Sequence, residues 1–298
     1  MKTTKKKFDF PYAIRSFVGY LEGTEKSLNT VKNYRLDLLA FQDFLKDHHG
    51  PKPKALDQIE ASDLELYHQH LRKLGLKTNT RRRKLMTLRK FLSYLAGRKK
   101  LGQDLGKTLP TPYKLERIPV TVPAGELLKS ICSLPEETEF ELRNRVMFRT
   151  LLETGCLISE AAKIQWADWR APREREATAS LEFTGKSARR VSVSAELYEW
   201  VQELKKRQKG DSSWVFHGFN KFGSMGHAIS PRGIEILVKA HAATLGFPDI
   251  IPRTFRHSAV LGWFQQGMTE QQIQDRLGLK SDYAFRGYAA LRQTAPAR

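Results

Sequence analysis

T-A-S-L-E-F-T-G-K-S-A-R-R-V-S-V-S, residues 178–194, is where an otherwise helical chain turns to strands. It reads as a strand, a turn through T-G-K-S-A-R-R, and a second strand ending V-S-V-S. On both sides the apolar period is helical. Upstream it covers 124–134 and 139–154; downstream it covers 195–209, 231–245, 254–266 and 269–277. One small sheet among many helices makes the fold class mainly α.

Further upstream, residues 101–123 hold four prolines and no sustained period, and L-P-T-P-Y-K reads as an interdomain linker. The division expected is a helical domain over 1–107, a linker over 108–123 and a second domain over 124–298. In the first domain M-K-T-T-K-K-K reads as a basic arm. Phe10, Ile14, Phe17, Val18 and Leu21 then fall at helical spacing. Ser27 opens a second helix, with Val31, Tyr34, Leu38, Phe41, Phe44 and Leu45 on one face. A proline-broken loop at 49–54 leads to a third helix over 62–74, ended by Gly75. A fourth covers 79–96, with Gly97 just past its end.

Composition bounds the function. The 298 residues are 40% hydrophobic and 28% charged, ordinary globular proportions that exclude wholesale disorder. No apolar run is long enough to span a membrane. The N-terminus lacks the apolar stretch of a secretory signal. Two cysteines, Cys132 and Cys156, make neither a disulfide framework nor a zinc cluster. The net charge is +19, which points to a polyanion and above all to nucleic acid. Residues 1–112 carry 24 Lys/Arg against 11 Asp/Glu, so the excess concentrates there. In the fourth helix Leu85, Leu88, Phe91, Leu92 and Leu95 share a stripe. Arg83 and Lys90 lie opposite it, with Arg82 and Arg89 on its flanks. Phosphate contact is therefore expected from Arg81, Arg82, Arg83, Lys84, Arg89 and Lys90, and from Arg189 and Arg190 of the sheet. The competing reading is a basic face that meets only water.

Several motifs carry a resemblance. They are R-N-R-V-M-F-R-T-L-L-E-T-G-C-L-I-S-E-A (143–161), the T-G-K turn (184–186), P-R-T-F-R-H (252–257) and L-G-L-K-S-D-Y-A-F-R-G-Y (277–288). In this order and spacing the chain resembles the tyrosine recombinases, the Xer-like phage integrase family, along nearly its whole length. The resemblance implies a two-domain DNA clamp. It also implies DNA cleavage by a tyrosine that forms a 3′-phosphotyrosyl link. Such chemistry needs cations and donors around a phosphorane more than it needs a strong base. Tyr288 stands at the nucleophile position, Arg256 at the second arginine and Lys186 at the β-turn lysine. Glu160 stands at the acid that supports the first arginine, and His257 follows Arg256.

Three positions depart from the pattern. Leu157 stands where the first arginine is expected, Arg253 where a histidine is, and Leu279 where a histidine or tryptophan is. Neither leucine side chain can donate a hydrogen bond. Losing one oxyanion donor costs about 10²–10³ in rate. The resemblance thus implies a DNA-binding protein with lost or strongly reduced strand exchange. The alternative is a divergent active recombinase using Tyr288, Arg256, Lys186 and Arg253.

Blander readings stand beside these. Tyr288 packs by its ring, Lys186 is a solvated charge, and Arg256 pairs with an acid. Cys156 and the tryptophans Trp166, Trp169 and Trp263 read as core. No cofactor and no metal is expected, since His48-His49 and His68-x-His70 have no cysteine or acid framework around them. The expected partner is double-stranded DNA, with a homodimer or higher oligomer forming on it. The expected location is the cytoplasm, at the nucleoid.

Overall fold

A computed structural model of the protein describes residues 9–24, 26–50, 55–113, 119–172, 178–208, 211–220 and 223–294. The basic arm read at 1–7 lies outside them. The chain divides into two compact units, Met1–Glu116 and Arg117–Arg298.

In the first unit, helix α1 (Phe10–Glu22) starts at Asp9, whose side chain accepts from the Tyr12 N–H at 2.7 Å. Helix α2 (Leu28–His49) starts at Ser27, which caps the Thr30 N–H. Such caps satisfy donors that have no partner inside the helix. Helices α3 (Ala61–Lys73) and α4 (Thr78–Gly97) follow. Leu85, Leu88, Phe91, Leu92 and Leu95 are each at most 1% exposed, so the apolar stripe of α4 is the centre of the unit. Phe17 meets Phe91 with ring centroids 5.5 Å apart, and Phe41 meets Tyr67 at 4.9 Å. Burying each such side chain stabilises by about 1.5–3 kcal/mol. Helix α3 lies one residue earlier than the 62–74 read from sequence, and the end of α4 differs as well. Gly97 is the last helical residue, and Lys99, at φ 54°, is the left-handed one. Its N–H bonds back to Ala96 O and that of Lys100 to Leu95 O, which closes the helix two residues later.

The second unit is built on α6 (Glu139–Thr154), where Leu142 through Leu152 are all buried. Its three arginines are buried with partners. Arg143 lies between the rings of Phe140 and Phe219, and Arg149 pairs with Glu153 and Glu196. Helices α5 (Ala124–Cys132), α8 (Ala195–Arg207) and α10 (Pro252–Gln265) pack against it. Strands β1 (Trp169–Arg170), β2 (Ser180–Phe183) and β3 (Arg189–Ser192) form an antiparallel sheet in sequence order, with Leu181 opposite Val191 and Phe183 opposite Arg189. The strand–turn–strand reading of 178–194 holds, with a 3-10 turn at Gly185–Ser187. Five elements were not read from sequence. They are β1, the one-turn helix α7 (Ile158–Ala161), the hairpin β4 (His217–Asn220) with β5 (Gly223–Ala228), and α12 (Asp282–Thr294). Helix α9 (Pro231–His241) also stops earlier than expected, because the chain turns through Gly246 at φ 79°. Helix α11 (Glu270–Leu277) completes the unit and packs with α10 and α12 around Val260, Ile273, Phe285 and Leu291.

Candidate active site

Helix α6 ends at Gly155 in the left-handed conformation, φ 60°. A Cβ there would lie 3.0 Å from Leu277 and from Trp263, so only glycine permits the turn and the packing together. The turn delivers Cys156 and Leu157. Burial pushes the Cys156 thiol up to about 11, which keeps it neutral. Leu157 caps α7 and is 45% exposed. Its N–H donates to Glu160 Oε2 at 2.7 Å.

Arg256 and Tyr288 come together from α10 and α12. Arg256 is 4% exposed. Its Nε donates to the Tyr288 hydroxyl at 2.8 Å, Nη1 to Gly155 O at 2.5 Å and Nη2 to Leu277 O at 3.4 Å. These partners are a phenol and two backbone carbonyls, in place of the acid that the blander sequence reading supposed. The His257 ring stands edge-on to Tyr288 with centroids 5.8 Å apart. Its Nδ1 lies 3.1 Å from Val120 O, a carbonyl, so Nδ1 carries the proton and donates. Burial, aided by the nearby Arg253 and Arg256 charges, lowers the His257 pKa against the raising effect of that hydrogen bond. The neutral ring leaves Nε2 as an acceptor.

Arg253 is exposed. With Leu157 and Arg256 it lines a cavity of about 720 Å³, whose wall on α9 brings in Arg232 and Lys239. Lys186 is exposed in the turn before β3. That turn packs on Gly278, at φ 65°, where a Cβ would lie 2.9 Å from Ser187 O. Leu279 follows, half-buried against the α10–α12 core. The positions expected to carry chemistry thus fall in one region of the second unit. Arg256, Tyr288 and His257 are in mutual contact there, Leu157 and Arg253 share a cavity with Arg256, and the Lys186 turn abuts Gly278.

Arg189 differs from expectation. Its side chain is 4% exposed and its guanidinium forks onto Glu160, Nη1 to Oε1 at 2.6 Å and Nη2 to Oε2 at 3.1 Å. Nε donates to Arg276 O at 2.8 Å and Nη1 also to Ser187 O at 2.9 Å. With four of its five N–H groups committed inside the protein, it has no fork to offer a phosphate. Arg190 is on the outer side of β3, with Nε 2.7 Å from Ser180 Oγ.

The basic residues of α4 are tied into their own unit. Arg83 and Lys84 pair with Asp37, which is 3% exposed and also accepts from Thr87. Arg82 donates to Pro112 O at 2.6 Å, and Arg89 to Gly106 O and Leu109 O. Arg81 reaches Thr78 Oγ1, and Lys90 reaches the Tyr34 hydroxyl. Arg83 and Lys90 remain exposed, opposite the apolar stripe as read. Asp37 was missed although its signal was present. It lies three residues after Tyr34 on the buried face of α2, where a carboxylate needs cations.

The fold and the site describe a protein of two units whose second holds a tyrosine beside a buried arginine. The chain belongs to the phage integrase family, the tyrosine recombinases. The phage integrase family model matches residues 124–294, and the phage integrase N-terminal SAM-like domain matches 14–99. The tyrosine recombinase XerD of Lacticaseibacillus casei is 28% identical over 281 residues, covering 89% of each chain. The tyrosine recombinase XerC of Chlamydia pneumoniae is 24% identical over 292 residues, covering 90% of this chain and 91% of its own. In fold, the chain is similar to a lambda integrase dimer bound to a COC′ core site, with a TM-score of 0.71, 13% identity, and 96% and 97% of the two chains covered. It is similar also to the XerH site-specific recombinase bound to difH substrate, with a TM-score of 0.70, 18% identity, and 93% and 79% covered. No helix among the described residues is long and apolar enough to cross a membrane.

Proposed function

We propose that the protein binds double-stranded DNA as a two-domain clamp, as a homodimer or higher oligomer, and has lost or nearly lost strand cleavage. DNA binding rests on family membership and on the +19 charge. The loss of cleavage rests on one observation. The residue 45% exposed beside Arg256, where a cation is needed, is Leu157, and the carboxylate beneath it is bound by the buried Arg189. A phosphorane at this site would meet Arg253, Lys186 and the two free N–H groups of Arg256, with His257 neutral. That is few donors for a charge that must be met in place.

The test is a nicked duplex that traps the covalent intermediate. The unmodified protein is expected to bind it and to leave no protein–DNA adduct on a denaturing gel. An adduct that disappears in Tyr288→Phe would overturn this and establish a divergent active recombinase. One observation favours that second reading. Arg256 Nε donates to the Tyr288 hydroxyl, so a cation already holds the oxygen of the tyrosine at the nucleophile position.

A further inference from the structure

Three segments converge on the Arg189 guanidinium. The first is the Lys186 turn, through Ser187 O. The second is the α7 turn, through both oxygens of Glu160, one of which also holds the Leu157 N–H. The third is the end of α11, through Arg276 O, two residues before Gly278. The plane of the guanidinium lies over the Phe183 ring, 4.1 Å from its centroid, and the Arg189 Cδ fits where a side chain on Gly278 would collide. A flat fork with five donors in fixed directions suits such a three-way joint, and an ammonium does not.

We propose that Arg189 is the positioning residue of the phosphate-facing region: it touches no DNA, and it sets where the exposed Lys186 meets the backbone. This rests on the DNA-binding reading above. Without the joint the turn at 185–187 loses the guanidinium bond to Ser187 O that ties it to α7 and to the end of α11. Lys186 then samples a range of positions, and a charge that moves makes a poorer phosphate contact. With leucine at 157 the start of α7 is still held, because Glu160 Oε2 accepts from the Leu157 N–H.

The test is a salt titration of the full chain on a fluorescein-labelled mixed-sequence duplex. Lys186→Ala is expected to lower the slope of log K against log salt by about one, the loss of one phosphate contact. Arg189→Lys keeps the charge and removes the fork, and it is expected to lower the slope by the same amount. The double variant is expected to go no further than either single one. Val146→Ala, in the α6 core, is expected to lower the melting temperature and leave the slope alone, so lost stability by itself does not imitate the effect. Where Arg189→Lys fails to fold, Glu160→Gln loosens the joint from the other side. It removes a negative charge, so a fall in slope cannot be a charge effect. An unchanged slope in Arg189→Lys and Glu160→Gln, or losses that add in the double variant, would overturn the inference and leave DNA binding intact. A flat slope in the unmodified protein would overturn both.

Discussion

Arg83 on α4 and Arg189 on β3 both sit in basic runs, R-R-R-K and A-R-R, and both pair with a carboxylate. They differ in what remains outside. The Arg83 side chain is 42% exposed above Asp37, which Lys84 and Thr87 also serve. The Arg189 side chain is 4% exposed and alone forks Glu160. The first is anchored and still presents charge to a polyanion, whereas the second is wholly internal. A count of arginines does not separate these roles. Exposure and the number of donors left over do.

The largest expected effect tests the outward half of this contrast. If about six to ten phosphates are neutralised, duplex affinity falls about 10³–10⁵-fold between 50 and 200 mM salt. A fluorescence titration that stayed flat across this range would remove the outward half altogether.

Next comes stability. Arg189→Ala leaves Glu160 without its fork and is expected to cost about 3 kcal/mol, read by denaturant unfolding. Arg83→Ala is expected to cost about 1 kcal/mol, because Asp37 keeps Lys84 and Thr87. Equal losses would erase the distinction between the two sites.

A smaller effect is expected from Arg83→Ala with Lys90→Ala. The salt slope should drop by about two and affinity should weaken alike for every duplex, since phosphate contacts carry no sequence information. Selective weakening on one sequence would place these side chains at base edges.

The pH response belongs to the second unit. His257 has its pKa lowered in the fold, so the unfolded chain binds the proton more readily below the ordinary value of 6.5. Its contribution is fully present above that value and is lost as pH falls towards the lowered one. His257→Asn keeps a donor for Val120 O and removes the titration, so unfolding free energy should become flatter as pH falls below the ordinary histidine value. The smallest effect is on binding by Tyr288→Phe. Its hydroxyl accepts from the buried Arg256 and faces no phosphate in the proposed reading, so DNA affinity should hold within about twofold.

Legibility followed periodicity. In α4 the stripe from Leu85 to Leu95 is the core, because one face is buried and the other wet. Helix α6 gave its limits but not its surroundings. It is buried on all sides, and its Arg143, Arg145 and Arg149 meet Phe219, Trp200 and Glu196 from distant segments. Helix α12 went unread, since Gly287 interrupts a short pattern whose anchors, Phe285 and Leu291, depend on α10 and α11. At the site, Tyr288, Arg256, Glu160, Lys186 and the three substituted positions were all legible as motif positions, and their mutual geometry was not.

By itself the sequence determined the mainly helical class and the paired strands of 178–194, the family, the excess of charge and the leucine at 157. Each is a property of residue type and spacing along the chain. Only the tertiary structure decided that Arg189 turns inward to Glu160, that Arg256 donates to Tyr288, and that Asp37 binds Arg83 and Lys84. The physical reason is that a guanidinium is defined by the partners that take its donors. For Arg189 and Glu160 those partners lie 29 residues apart, for Arg256 and Tyr288 they lie 32 apart, and for Arg83 and Asp37 they lie 46 apart, distances over which no local period carries information.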